Sequence, residues 1–132
     1  MNAVIAQIAA IATTIGFLGL MCFQILLALG FPFGQVAWGG KYIKLPPGLR
    51  IASIFSVAIY VLASILVLER AAIVSVINKS TVVTTGVWIL VAFLALNTLS
   101  NLASRSKLEK LIMTPVSVTL GLLCLAVAIS SS

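Results

Sequence analysis

Residues 31–50 read FPFGQVAWGGKYIKLPPGLR, and this stretch is the first break in an otherwise apolar chain. It holds Pro32, Pro46 and Pro47, glycines at 34, 39, 40 and 48, the aromatics Phe31, Phe33, Trp38 and Tyr42, and the cations Lys41, Lys44 and Arg50. Proline lacks the amide hydrogen a helix interior needs and glycine frees the backbone, so helix is interrupted here. Aromatic rings favour the headgroup layer of a bilayer, and lysine and arginine favour its cytoplasmic side. One segment therefore supplies both a chain reversal and an orientation signal.

Outward from it, composition sets the class. Of 132 residues, 62% are apolar and 8% charged, too few polar groups to cover a globule in water. A membrane protein is expected. The net charge of +6 sits in short connections between apolar runs rather than along one face, which fits loop orientation and not nucleic-acid binding. Histidine is absent, and Glu69 and Glu109 are the only acids. An intramembrane carboxylate dyad, a histidine metal site and a Ser-His-Asp triad are thereby excluded, so a non-enzymatic protein without cofactor is expected. Cys22 and Cys124 lie inside apolar runs, without a Cys-x-x-Cys pair, and read as packing residues. The first apolar run lacks a basic leader and exceeds the about 7–15 residues of a secretory signal, so retention from Met1 is expected.

A helix needs about 20 residues to cross a hydrocarbon core of ~30 Å. Four runs meet that length, at residues 3–30, 49–68, 82–102 and 107–129 of one domain. Pro46 and Pro47 open the second, where a first-turn proline costs no hydrogen bond, and Glu69-Arg70 closes it. Residues 71–77 are apolar but too short to span, and either extend helix two or lie at the interface. Asn78, Ser80 and Thr81 are candidate caps for helix three. Ser106-Lys107-Leu108-Glu109 matches the capping box for helix four, which is expected to run through Pro115 with a kink.

The connections 31–48 and 103–110, with Arg50 beside the first, carry six cations against Arg70 and Lys79 on the other side. This asymmetry predicts cytoplasmic basic loops and both termini outside, in a plasma (inner) membrane. Lipid is as apolar as leucine, so small and polar residues must mark the faces that meet. Read with spacings of three and four, helix one gives Ala9, Ala12, Gly16, Gly19 and Phe23, and helix two gives Ser53, Ser56, Tyr60 and Ala63. Helix three gives Gly86, Leu90, Phe93, Asn97 and Ser100, and helix four gives Thr114, Ser117, Gly121, Cys124 and Ala128. The fold expected is an all-α, antiparallel, up-and-down four-helix transmembrane bundle with left-handed packing.

Gln24 and Asn97 fall at similar depth and form the strongest intramembrane polar pair. Two accounts stand beside each other: a structural hydrogen bond between helices, or the lining of a cytoplasm-facing ligand cavity completed by Ser56 and Tyr60. Trp38, Lys41, Lys44 and Arg50 are candidate contacts for anionic headgroups, or else a nest for a phosphate. Trp38-Gly39-Gly40, Leu45-Pro46, Leu49-Arg50, Ala52-Ser53 and Thr114-Pro115-Val116 together resemble a pattern in small four-span bacterial membrane proteins of unknown function. That resemblance implies a bacterial inner-membrane setting and no mechanism. The size is similar to that of the small multidrug transporters, but their first-helix acid has no counterpart, Gln7 and Gln24 standing in that helix. The paired glycines and the lengths are also like those of small fluoride channels, without a matching motif. The expected role is an accessory or binding subunit for a lipid or apolar small molecule, with membrane lipids as partners. The alternative is a homo-oligomeric channel or transporter, or a place in a larger membrane complex.

Overall fold

The computed structural model describes residues 3–130. It contains four long helices, α1 (Ala3–Ala28), α2 (Pro47–Arg70), α3 (Ser80–Leu102) and α4 (Lys107–Ser130), and no strand among the described residues. All four are long and apolar enough to cross a membrane. The shortest has 23 residues, about 34 Å at 1.5 Å per residue, against a hydrocarbon core of ~30 Å. Residues 1–2 and 131–132, and with them the expected fate of Met1, lie outside the described residues.

The helix ends follow local chemistry. α1 stops at Ala28, two residues before the sequence expectation, because Gly30 turns left-handed with φ +97°. The Gly30 amide then donates to the Leu27 carbonyl (3.1 Å) and the Phe31 amide to that of Leu26 (3.1 Å), which closes the last turn. α2 closes the same way: Ala72 takes φ +62°, its amide donating to Glu69 (3.0 Å) and that of Ile73 to Leu68 (2.9 Å). Residues 71–77 therefore do not extend helix two. They form an irregular loop gathered around the Glu69 carboxylate, which accepts from the amides of Val76 (2.9 Å), Ile77 (2.7 Å) and Asn78 (2.7 Å).

α3 is preceded by Lys79 without a side-chain cap, so the caps expected at Asn78, Ser80 and Thr81 are not used. Half of the capping box on α4 forms: the Glu109 amide donates to Ser106 Oγ (3.3 Å), while the Glu109 carboxylate accepts from the Gly39 amide (3.4 Å) in a different connection. α4 continues through Pro115 as one helix.

α1 packs on α2 and α4, α3 packs on α4, and the α2–α3 seam is the thinnest of the four. The core holds Phe17, Met21, Tyr60, Val67, Leu94 and Cys124. Ser53, Tyr60 and Ala63 of α2, and Ser117, Cys124 and Ala128 of α4, point inward as their spacing predicts. The other two stripes hold only in part: Ala9 and Leu90 are buried and Gly16 lies against Leu120, while other members turn away. On α1 the buried set is Ala6, Ala9, Ala10, Thr13, Phe17, Met21 and Leu27, while Gly19 has no atom within 4 Å of where a side chain would begin. On α3, Phe93 and Ser100 are exposed and Val83, Val87, Leu94 and Asn101 turn inward. The reason is physical: in lipid, size does not decide which side a residue takes, because large and small apolar groups are equally comfortable outside. Cys22 is exposed and Cys124 buried, both as free thiols.

Several hydroxyls within the helices are satisfied locally, Thr114 Oγ1 on α4 being a buried exception. Thr13 donates to the Ala9 carbonyl (2.7 Å), Ser56 to Ala52 (3.0 Å), Ser64 to Tyr60 (2.8 Å) and Thr98 to Leu94 (2.9 Å). Such back-bonding hides a polar group where no water is available.

Candidate functional site

The end of the bundle that carries the basic connections is built differently from the other. Near the terminal end α2 and α3 touch, with Leu66 filling the space beside Gly86. Toward the basic end the same two helices part. Ile51, Phe55 and Ile59 of α2 and Phe93 of α3 stand exposed on either side of the gap. Behind them lies a cleft of about 600 Å³, open between α2 and α3 and walled at the back by α1 and α4.

The walls are apolar near the middle of the bundle, where Leu20, Leu94 and Leu120 line them, and polar toward the basic end. There Gln24, Ser56, Asn97, Asn101 and Ser117 face the space. Asn101 Nδ2 donates to Ser117 Oγ (2.7 Å) and to the Met113 carbonyl (3.2 Å), which ties α3 to α4. Asn97 Nδ2 makes one long bond, 3.4 Å, to the same Ser117 oxygen. Gln24 Oε1 is shielded from solvent without a hydrogen-bond partner. An unpaired buried acceptor costs about 1–3 kcal/mol, so Gln24 gains from any donor that a turn of its carboxamide would reach.

The first connection closes the basic end of the cleft. It forms two single 3-10 turns, Gly34–Val36 and Trp38–Gly40. Three polar contacts fasten it: Trp38 Nε1 donates to Ser53 Oγ of α2 (3.1 Å), Ser106 Oγ donates to the Gln35 carbonyl, and the Gly39 amide donates to Glu109 of α4. Trp38 holds a left-handed φ of +52°, which side-chain-bearing residues rarely adopt, at the point where its ring enters the cleft wall. Apolar anchors Leu27, Ala37 and Leu45 are buried beneath the loop.

The structure thus brings Gln24, Ser56, Tyr60 and Asn97 around one space, but it does not pair Gln24 with Asn97, whose amide turns to Ser117 on α4 instead. Trp38 joins the same wall. Arg50 Nε donates to the Ala28 carbonyl (2.7 Å), covering an acceptor that the last turn of α1 leaves free. Lys41 and Lys44 are exposed, Lys41 lying 5.5 Å from the centre of the Tyr42 ring. Asn101, Ser117 and Glu109 also line the space, and Ser53 behind it holds Trp38; none of them was singled out as a ligand contact from sequence. The spacing of Asn97 and Asn101, one turn apart on α3, was the available signal.

Among the described residues no cluster of three metal-ligating side chains forms. Comparison with protein-family models, with curated proteins and with solved structures finds no match.

Proposed function

We propose that this chain is a small binding or accessory subunit of a membrane, holding one amphiphile with its apolar chain in the cleft between α2 and α3. The observation that carries the reading is the cleft itself: a gap facing the bilayer whose walls change from apolar to amide and hydroxyl toward one end. Acyl chains gain little by leaving lipid for an equally apolar wall, so selection must come from shape and from the polar end. Gln24 and Asn97 supply that end, one unpaired and one weakly paired. The terminal half of the bundle is filled by Ala10, Val67, Val87 and Val127, which supports a holder rather than a conduit through one protomer.

Purified in mild detergent, the protein is expected to retain one lipid per chain in native mass spectrometry. Ser56→Phe, which fills the cleft, should abolish retention. Asn97→Leu should weaken it by about 3- to 30-fold, the equivalent of one intramembrane hydrogen bond of ~0.6–2 kcal/mol, while the thermal midpoint stays within a few degrees. Ser117 keeps its shorter bond to Asn101 in that variant. Retention of lipid by Ser56→Phe at the wild-type level would refute the reading.

The basic end of the bundle is proposed to face the cytoplasm, with both termini outside the inner membrane, on the six-to-two distribution of cations. Terminal tags should then be labelled by membrane-impermeant reagents in cells whose outer layers are permeabilised; tags protected until the inner membrane is opened would reverse the assignment.

A further inference from the structure

The cleft does not end at Trp38. It continues, through walls shared with Trp38, Asn97, Asn101 and Glu109, into a hollow that also takes in Arg105. Through Gly39 and Arg105 that hollow meets another, on the surface of the basic end, lined by Gln35, Lys41 and Lys107. We infer that this outer hollow seats a net-negative, phosphate-bearing headgroup, so that the cleft's occupant is an anionic amphiphile. The inference rests on the reading that the cleft holds an amphiphile and names its charge.

Three observations converge on it. First, the cations reach the hollow from two distant connections, Lys41 from the first and Arg105 and Lys107 from the last, brought together where Ser106 donates to the Gln35 carbonyl. Second, neither acid neutralises them. Glu69 is occupied by three amides at the opposite end of the bundle. Glu109 is buried and turned onto the Gly39 amide; it borders the passage but does not line the outer hollow. Third, the order along the path is apolar wall, then amides and indole, then cations, which is the order of chain, glycerol region and charged head in a lipid. A phosphate offers several acceptor oxygens to lysine and arginine together, and the headgroup as a whole is net negative where no cationic group offsets the phosphate charge. Cations near an anionic lipid surface contribute on the order of fivefold each in affinity.

The test uses the full chain in mild detergent with equimolar phosphatidylglycerol and phosphatidylethanolamine, read by native mass spectrometry. The wild type is expected to retain one phosphatidylglycerol per chain with at least about tenfold enrichment. The triple variant Lys41→Gln, Arg105→Gln, Lys107→Gln should still retain a lipid but with the enrichment falling to near one. A wild type without preference, or a triple variant that keeps it, overturns the headgroup assignment while leaving the cleft reading in place. Absence of any retained lipid overturns both. Millimolar inorganic phosphate is the remaining arm: if it alone raises the thermal midpoint, and does so without bound lipid, the hollow takes free phosphate and its link to the cleft is wrong.

Discussion

Phe17→Ala is expected to destabilise the bundle by about 3 kcal/mol, at the lower end of the range for truncating a core aromatic. Phe17 is completely buried on α1 and stacks on Tyr60 of α2, with ring centres 5.5 Å apart and planes 27° from parallel. In a soluble protein such a loss would combine water-driven burial with the cavity left behind. In a bilayer the first part is absent, because the unfolded helices remain in lipid, and what goes is close contact on every side of the ring. The same logic makes Phe55→Ala nearly neutral for stability, since that side chain is 69% exposed at the cleft mouth. Unfolding in mixed micelles of increasing denaturing-detergent fraction compares the two. Equal costs for both variants would mean that α1 meets its neighbours through a different face.

Gly34→Ala should destabilise the first connection by about 2–3 kcal/mol. A side chain started at Gly34 would meet the Tyr42 carbonyl oxygen at 2.1 Å and that of Ile43 at 2.8 Å. Both are backbone atoms, and the Gly34 amide is itself bonded to the Ile43 carbonyl at 2.8 Å, so neither side can yield alone. The loop must reopen, and with it the contacts of Trp38, Gln35 and Gly39 to the helices. In a Trp88→Phe background Trp38 is the only indole, and its emission should shift to the red as the ring leaves Ser53. Gly48→Ala is the control: that position has nothing within 4 Å, lies in the first turn of α2, and should be neutral or gain up to about 1 kcal/mol. Indistinguishable behaviour of the two alanine variants would show that the connection is not closed as described.

Much of this architecture is legible before any coordinates, because length, apolarity and the positions of proline and glycine are local properties. The four spans and the inward faces of α2 and α4 are of that kind. Faces of α1 and α3 are so only in part, since Gly19 and Phe93 fit their stripes by spacing and only their neighbours decide otherwise. Arg50 illustrates a second limit. Its charge correctly marks a connection, but its use on the Ala28 carbonyl depends on where α1 ends, a matter settled by Gly30. Part of the cleft's lining is legible as well, Gln24, Ser56, Tyr60 and Asn97 being candidates by polarity and depth, but its closure belongs to the long-range class. Nothing along the chain announces that Trp38 will reach Ser53, or that Glu109 will abandon half of its capping box for Gly39.

Arg50 and Arg70 sit near the two ends of α2, and each holds the last turns of a different neighbour: Arg50 the Ala28 carbonyl of α1, Arg70 the Ala128 carbonyl of α4 at 2.9 Å. A rod clamped at both tips cannot slide lengthwise without releasing one clamp. Sliding of α2 would thus cost one of these bonds, whereas a swing that widens the α2–α3 gap, like two covers of a book turning about a spine formed by α1 and α4, would keep both. The gap would change its breadth while the heights of its chemical groups stay in register, so a guest could enter from the side without the depth at which it is recognised being lost.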